Sequence, residues 1–228
     1  MAELVFLHGS GYTAESFNAQ IEALPGSRAL ALPGHPVGRA LPSVEACAEW
    51  LAERLAESGT EPAIVAGNSL GGAIALRWAL AHPERTRAII LIGSGARLRV
   101  APQIFSMIEQ DWPNCIPDLV DLALGSNPPR GLRAAAIRWH EVVGKESTCT
   151  DYNACNAFDV MSEIDRLRVP TLILAGSEDR MTPLKYAQYL HAHISGSRFE
   201  VIERAGHLAM AEQPAQVNRA IREFLASL

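Results

Sequence analysis

Short apolar runs alternate with amphipathic segments along most of this 228-residue chain. Runs of four to seven mostly apolar residues indicate strands that are buried on both faces of a parallel sheet. The predicted strands are residues 4–7, 28–32, 63–66, 86–92, 170–175 and 198–202. Helical periodicity follows most of them, for example over residues 43–58, where Ser43 is the expected N-cap and Gly59 the expected end. The sequence therefore predicts an α/β fold, with a doubly wound, mostly parallel sheet of about six strands.

One long segment, residues 97–165, interrupts this alternation. It contains no clear strand and is rich in Pro, Trp and Asn. At under 70 residues it is short for an independent domain, so we expect a helical cap inserted above the carboxyl edge of the sheet. Residues 1–96 and 166–228 then form the core. The helices predicted within the cap are residues 103–111, 117–124 and 131–143.

The segment Gly67-Asn68-Ser69-Leu70-Gly71 joins the third predicted strand to a helix. A serine held in a sharp strand-to-helix turn is exposed above the sheet, and neighbours two positions away must lack side chains to avoid collision. Gly67 and Gly71 meet that need, and the helix N-terminus favours nearby negative charge. A glycine-rich turn with an ordinary serine is the alternative. The spacing favours Ser69 as a nucleophile.

A serine hydroxyl needs a base to remove its proton, and His207 is the best-placed histidine. It lies between the last strand and the last helix, and a loop there reaches the same carboxyl edge as Ser69. The other histidines fall in predicted helices or beside early loops, where support of the loop is the more frequent role. These are His8, His35, His82, His140, His191 and His193.

An acid and oxyanion donors complete this chemistry. Asp179 and Glu178 both follow the fifth strand at the same edge, and neighbouring side chains face different directions, so only one is expected to reach His207. We prefer Asp179. For the oxyanion, we expect the backbone N–H groups of Leu70, at the start of the helix, and of Ser10, in the glycine-rich loop after the first strand.

Composition and cysteine spacing exclude other classes of function. The net charge is −5 and no Lys/Arg run occurs, so neither nucleic acid nor an anionic membrane is an expected partner. No apolar stretch approaches membrane-spanning length, and residues 1–8 lack a signal-peptide pattern. We expect a cytoplasmic protein. The four cysteines lack paired spacing, so free thiols are favoured over a Cys149–Cys155 bond and no metal site is predicted.

Taken together, these motifs resemble the α/β-hydrolase superfamily over nearly the whole chain. The matching segments are residues 8–11, 67–72, 169–176, 176–180 and 206–207. The resemblance implies a triad of Ser69, Asp179 and His207, a cap over the site, and no cofactor. The family usually has two further strands before the His-Gly loop, and here that loop begins at His8, so we expect a sheet that lacks the usual first two strands.

The cap sets the choice of substrate in such enzymes. Apolar residues of the cap could line a pocket there, although we expect more than half of them to pack the cap onto the core: Phe105, Met107, Ile108, Trp112, Trp139 and Phe158. Its arginines look scattered and predict no anion site; these are Arg97, Arg99, Arg130, Arg133 and Arg138.

The expected function is hydrolysis of a small or medium, partly apolar ester through an acyl-enzyme. The same triad could instead serve C–C bond hydrolysis, thioester hydrolysis or a lyase reaction of the kind seen in menaquinone biosynthesis. A dehalogenase is disfavoured, since that chemistry requires an aspartate in place of Ser69. A ligand receptor that retains the triad without turnover is the non-enzymatic alternative.

Overall fold

A computed structural model describes residues 3–59 and 62–228. In this part of the chain, six strands form one sheet: β1 (Leu4–Leu7), β2 (Ser27–Leu30), β3 (Ala63–Asn68), β4 (Thr86–Ile92), β5 (Thr171–Gly176) and β6 (Arg198–Ile202). Their order across the sheet is β2-β1-β3-β4-β5-β6, and all neighbours are parallel. The predicted fold class is confirmed, and β2, whose residues are partly buried, is one edge strand.

Helices cover both faces of this sheet. Successive residues of a strand point to opposite faces, and in β1 Val5 packs in one apolar cluster while Phe6 packs in the other. The helices are α1 (Asn18–Ala23), α2 (Val44–Ser58), α3 (Leu70–Ala81), α4 (Pro102–Asp111), α5 (Ile116–Ala123), α6 (Leu132–Ala157), α7 (Lys185–His193), α8 (Ala209–Glu212) and α9 (Pro214–Leu225). The first cluster includes residues of α2, α3 and α7, and the second includes residues of α9.

The ends of α2 follow the predicted signals. Ser43 Oγ accepts a hydrogen bond from the backbone N–H of Ala46 at 3.1 Å, which satisfies one of the helix's free donors. Gly59 ends the helix in the left-handed region, with φ of 65°. In residues 3–59 and 62–228, no helix has the length and apolar character needed to cross a bilayer.

Between β4 and β5 the chain forms α4, α5 and α6. The third predicted cap helix, residues 131–143, ends where the helical geometry breaks, because Gly144 has φ of 81° and ψ of 169°. A further helical stretch, which the sequence did not predict, continues to Ala157, and α6 denotes both stretches. The second stretch buries Asp151 and Cys155. Residues 97–165 as a separate cap unit stay a prediction.

Candidate active site

Ser69 lies in a strained turn between β3 and α3. Its φ of 52° and ψ of −114° lie outside the regions that non-glycine residues favour. A Cβ on Gly67 would lie 2.1 Å from the carbonyl carbon of Gly71, and one on Gly71 would lie 2.1 Å from the backbone oxygen of Leu7. The two glycines are therefore required by close backbone packing on either side of the serine.

His207 and Asp179 form a buried pair at the same edge of the sheet. His207 Nδ1 lies 2.8 Å from Asp179 Oδ2, and neither residue is more than 6% exposed. Thr182 Oγ1 donates to the same carboxylate oxygen at 2.8 Å and lies 3.2 Å from His207 Nδ1. The other oxygen of Asp179 accepts the backbone N–H groups of Met181 and Thr182, both at 2.8 Å. Four hydrogen bonds thus fix the carboxylate.

The surroundings of Asp179 keep its carboxyl group ionised. Burial alone would raise the pKa of Asp179, but its electrostatic interaction with the His207 ring and the hydrogen bonds from His207 and Thr182 outweigh burial, so the pKa lies below its ordinary value. Glu178 instead accepts the backbone N–H of Ser126 at 2.5 Å, which lowers its pKa. Of the two acids, only Asp179 contacts His207.

Two supporting residues of the site carry no functional signal in the sequence analysis. Asn68 Nδ2 donates to the backbone oxygen of His207 at 3.0 Å and to that of Ile92 at 3.1 Å. A Cβ on Gly93 would lie 3.2 Å from both Asp179 Oδ2 and His207 Nδ1. Asn68 is the variable residue before the elbow serine, and Gly93 directly follows β4. Both residues lie at the carboxyl ends of strands, β3 and β4, and this position is the one signal in the sequence that could have indicated a place in the site.

Ser69 and His207 border one cavity of about 210 Å³, which we call the serine cavity. Of the two residues predicted to bind the oxyanion, Ser10 lies in the loop after β1 and borders this cavity. The other, Leu70, directly follows Ser69 and is the first residue of α3. Ser10 Oγ lies 3.4 Å from Cys155 Sγ, and burial raises the pKa of that thiol to about 12, so Cys155 is no competing nucleophile. Apolar and aromatic side chains supply much of the wall: Leu98, Val100, Ile104, Leu122, Tyr152 and Met181.

The structure does not bring the four predicted pocket aromatics to the serine cavity. Phe158 is 2% exposed and lies in the core on one face of the sheet. Trp139 packs on the other face and donates from Nε1 to Glu15 at 2.9 Å. Phe105 and Trp112 pack in the cap's own apolar cluster. These large side chains hold the cap together and onto the core.

Other histidines support loops, as expected. The backbone N–H of Leu32 donates to His8 Nε2 at 3.0 Å, so Nδ1 carries the proton and donates to the Gly9 oxygen. Burial lowers the pKa of His8 to about 3. His35 Nε2 lies 2.8 Å from Asp151 of α6, which connects the loop after β2 to the cap region.

No metal-binding group is found in the described residues: no cluster of three or more His, Cys, Asp or Glu side chains is suitably placed. All four cysteines are free thiols, so Cys149 and Cys155 do not pair.

An all-parallel sheet with an elbow serine at its carboxyl edge is the architecture of an α/β hydrolase. The family model described as the alpha/beta hydrolase family matches residues 4–220. The chain belongs to this family. A solved structure of a thermophilic esterase is 32% identical, with a TM-score of 0.90 over 98% of this chain and 89% of that one.

Curated relatives are enzymes of the same class. A pimeloyl-(acyl-carrier protein) methyl ester esterase of Neisseria meningitidis serogroup C is 28% identical over 98% of this chain and 93% of its own length. A 2-hydroxy-6-oxo-6-phenylhexa-2,4-dienoate hydrolase of Burkholderia cepacia is 25% identical over 74% of this chain and 64% of its own. The chain is a hydrolase, and these similarities support a carboxylic ester hydrolase, as the sequence predicted.

Proposed function

We propose that this enzyme cleaves small or medium, partly apolar esters through an acyl-enzyme on Ser69. His207 is the general base and Asp179 orients it. The contact that carries the proposal is the 2.8 Å hydrogen bond between buried His207 and Asp179, beside the cavity that Ser69 borders. The esterases among its relatives support the ester as substrate. A small-molecule partner and a cytoplasmic location belong to the same proposal.

The proposed reaction has two halves. His207 removes the proton from Ser69 Oγ, which attacks the ester carbonyl carbon, and Asp179 stabilises the imidazolium that forms. The backbone N–H groups of Leu70 and Ser10 bind the oxyanion. The imidazolium then gives its proton to the leaving alcohol. In the second half, His207 activates a water that hydrolyses the acyl-enzyme and regenerates the serine.

C–C bond hydrolysis is the second candidate, because one relative bears the name of a phenylhexadienoate hydrolase. The thioesterase and lyase alternatives use the same residues. A panel of p-nitrophenyl esters, thioesters and diketones ranks these reactions by kcat/KM. The proposal is supported if the esters have the highest kcat/KM. If diketones or thioesters have the highest kcat/KM, the enzyme is a C–C bond hydrolase or a thioesterase instead.

Covalent labelling tests the nucleophile directly. A fluorophosphonate probe should label the wild-type protein once, and Ser69→Ala should lose both labelling and turnover. Ser106→Ala, at an exposed serine of α4, is the matched control and should retain both. Labelling that persists in Ser69→Ala would place the nucleophile elsewhere, and an unlabelled, inactive wild type would favour the receptor alternative.

A further inference from the structure

A second cavity of about 210 Å³ adjoins the serine cavity, and Arg99 and Tyr186 border both. Arg97, Lys185 and Tyr189 complete much of its wall. We call it the basic cavity. The sequence suggested that the cap arginines are scattered; in the structure, Arg97 and Arg99 border one cavity together with Lys185, the first residue of α7.

Two cations of the basic cavity are not neutralised. Arg97 Nη1 lies 3.6 Å from Asp159 Oδ2, so this carboxylate offsets the charge of Arg97. Arg99 and Lys185 form no ion pair with a carboxylate of the described residues. The N-terminal end of α7 adds partial positive charge at Lys185. In a chain of net charge −5, this is a local site of positive potential beside the serine cavity.

Tyr186 borders both cavities. A Cβ on Gly95 would lie only 2.6 Å from Tyr186 Cδ1, so the absence of a side chain at Gly95 lets the ring pack against the backbone there. Lys185 Nζ lies 5.9 Å from the centre of the same ring, within the range of a cation–π contact. The aromatic ring thus gives an apolar wall that leads from the serine cavity to the ammonium group.

We propose that the basic cavity binds an oxyanion, a carboxylate or a phosphate, at the end of the substrate remote from the ester. This deepens and rests on the proposed function. Arg99 offers a planar fork of donors and Lys185 a compact charge, and both side chains suit carboxylate and phosphate oxygens. The apolar walls between the two sites suit a methylene chain. The substrate class is then an ester whose acyl chain ends in an anion.

A matched ester series tests this specificity. The series compares kcat/KM for monomethyl esters of α,ω-dicarboxylic acids with the dimethyl esters of equal chain length, and adds methyl esters with a terminal phosphate. At the chain length that spans the two cavities, we expect about a tenfold preference for the anionic ester, the size of one charge-assisted hydrogen bond. The preference should shrink at high salt, because the cations are exposed.

Variants then connect the preference to named residues. Arg99→Gln and Lys185→Gln should each reduce the ratio of anionic to neutral ester several-fold, and the double variant should bring it to about one. Arg138→Gln, at an exposed arginine of α6 outside both cavities, should keep the wild-type ratio. Preference for the carboxylate series or for the phosphate series supports the proposal and identifies the anion.

A ratio of about one at every length, or a preference that survives in the double variant, overturns the inference while the proposed ester hydrolysis stands. If no ester is turned over, the proposed function fails, and binding still tests the cavity. Calorimetric titration of Ser69→Ala with inorganic phosphate and with dicarboxylates should show binding. The double variant Ser69→Ala/Arg99→Gln should bind the same anions about tenfold more weakly. Absence of binding to Ser69→Ala, or equal affinity of Ser69→Ala and the double variant, overturns the inference independently of turnover.

Discussion

The backbone N–H of His207 donates a hydrogen bond to the carbonyl oxygen of Ala123, the last residue of α5, at 2.7 Å. Glu212 strengthens this contact between the His207 loop and the cap region. Its two carboxylate oxygens accept the backbone N–H groups of Gly125, at 2.8 Å, and of Gly206, at 3.0 Å. The loop that carries the proposed base is therefore held by the segment that follows α5.

Glu212→Ala should lower both stability and turnover. It leaves two N–H groups without their acceptor, and a buried unsatisfied donor costs about 1–3 kcal/mol. We expect the free energy of unfolding to fall by about 2 kcal/mol or more in urea denaturation, and kcat to fall because His207 is less well positioned. Glu203→Ala, at an exposed acid of the same loop, is the control. Equal stability of both variants would contradict this role.

Asp179→Asn should retain the fold and lose most turnover. An amide at this position no longer stabilises the imidazolium, and the equivalent change in a serine protease lowers kcat about 10⁴-fold. We expect a loss of at least about 10³ in kcat, with little change in KM. Glu178→Gln tests the neighbouring acid and should change kcat less than about threefold. Steady-state kinetics of the two variants measures both changes. A large loss of kcat in Glu178→Gln, with Asp179→Asn unaffected, would make Glu178 the acid that orients His207.

Asn68→Asp should lower kcat more than it raises KM. The substitution replaces an amide donor with an acceptor that faces the backbone oxygens of His207 and Ile92. Because Asn68 fixes the backbone of the proposed base without bordering the serine cavity, the effect should fall on turnover, by about tenfold. Asn68→Ala, which removes the donor without adding a charge, should lower kcat less than Asn68→Asp does. A change confined to KM would indicate a role in substrate binding instead.

The geometry around Ser69 was predictable because it depends on local and topological rules. Gly67 and Gly71 relieve a strained turn, and parallel strands bring the loops with Asp179 and His207 to one edge. The basic cavity was not predictable, since Arg99 and Lys185 lie far apart in sequence and no short-range pattern connects them. The same limit applies to Phe105 and Trp112, because a large apolar side chain in a helix gives the same pattern whether it packs the cap or lines a pocket.

His140 in α6 provides a test of pH-dependent stability. Its ring is fully buried, Nδ1 lies 3.1 Å from the backbone oxygen of Ala136, and Nε2 has no hydrogen-bond partner in the described residues. Burial lowers the pKa of His140 from 6.5 to about 4. Between these values the unfolded chain binds a proton that the folded protein does not, so stability falls as the pH decreases, by up to about 1.4 kcal/mol per pH unit.

His140→Leu removes this titrating group and should flatten the pH dependence. Between pH 6 and pH 4.5, the free energy of unfolding of the wild type should fall more steeply than that of the variant, by about 1 kcal/mol per pH unit. Urea denaturation at several pH values measures both slopes. His191→Gln, at an exposed histidine of α7, controls for loss of a surface histidine and should follow the wild type. Parallel slopes for wild type and His140→Leu would mean that His140 titrates alike in the folded and unfolded states.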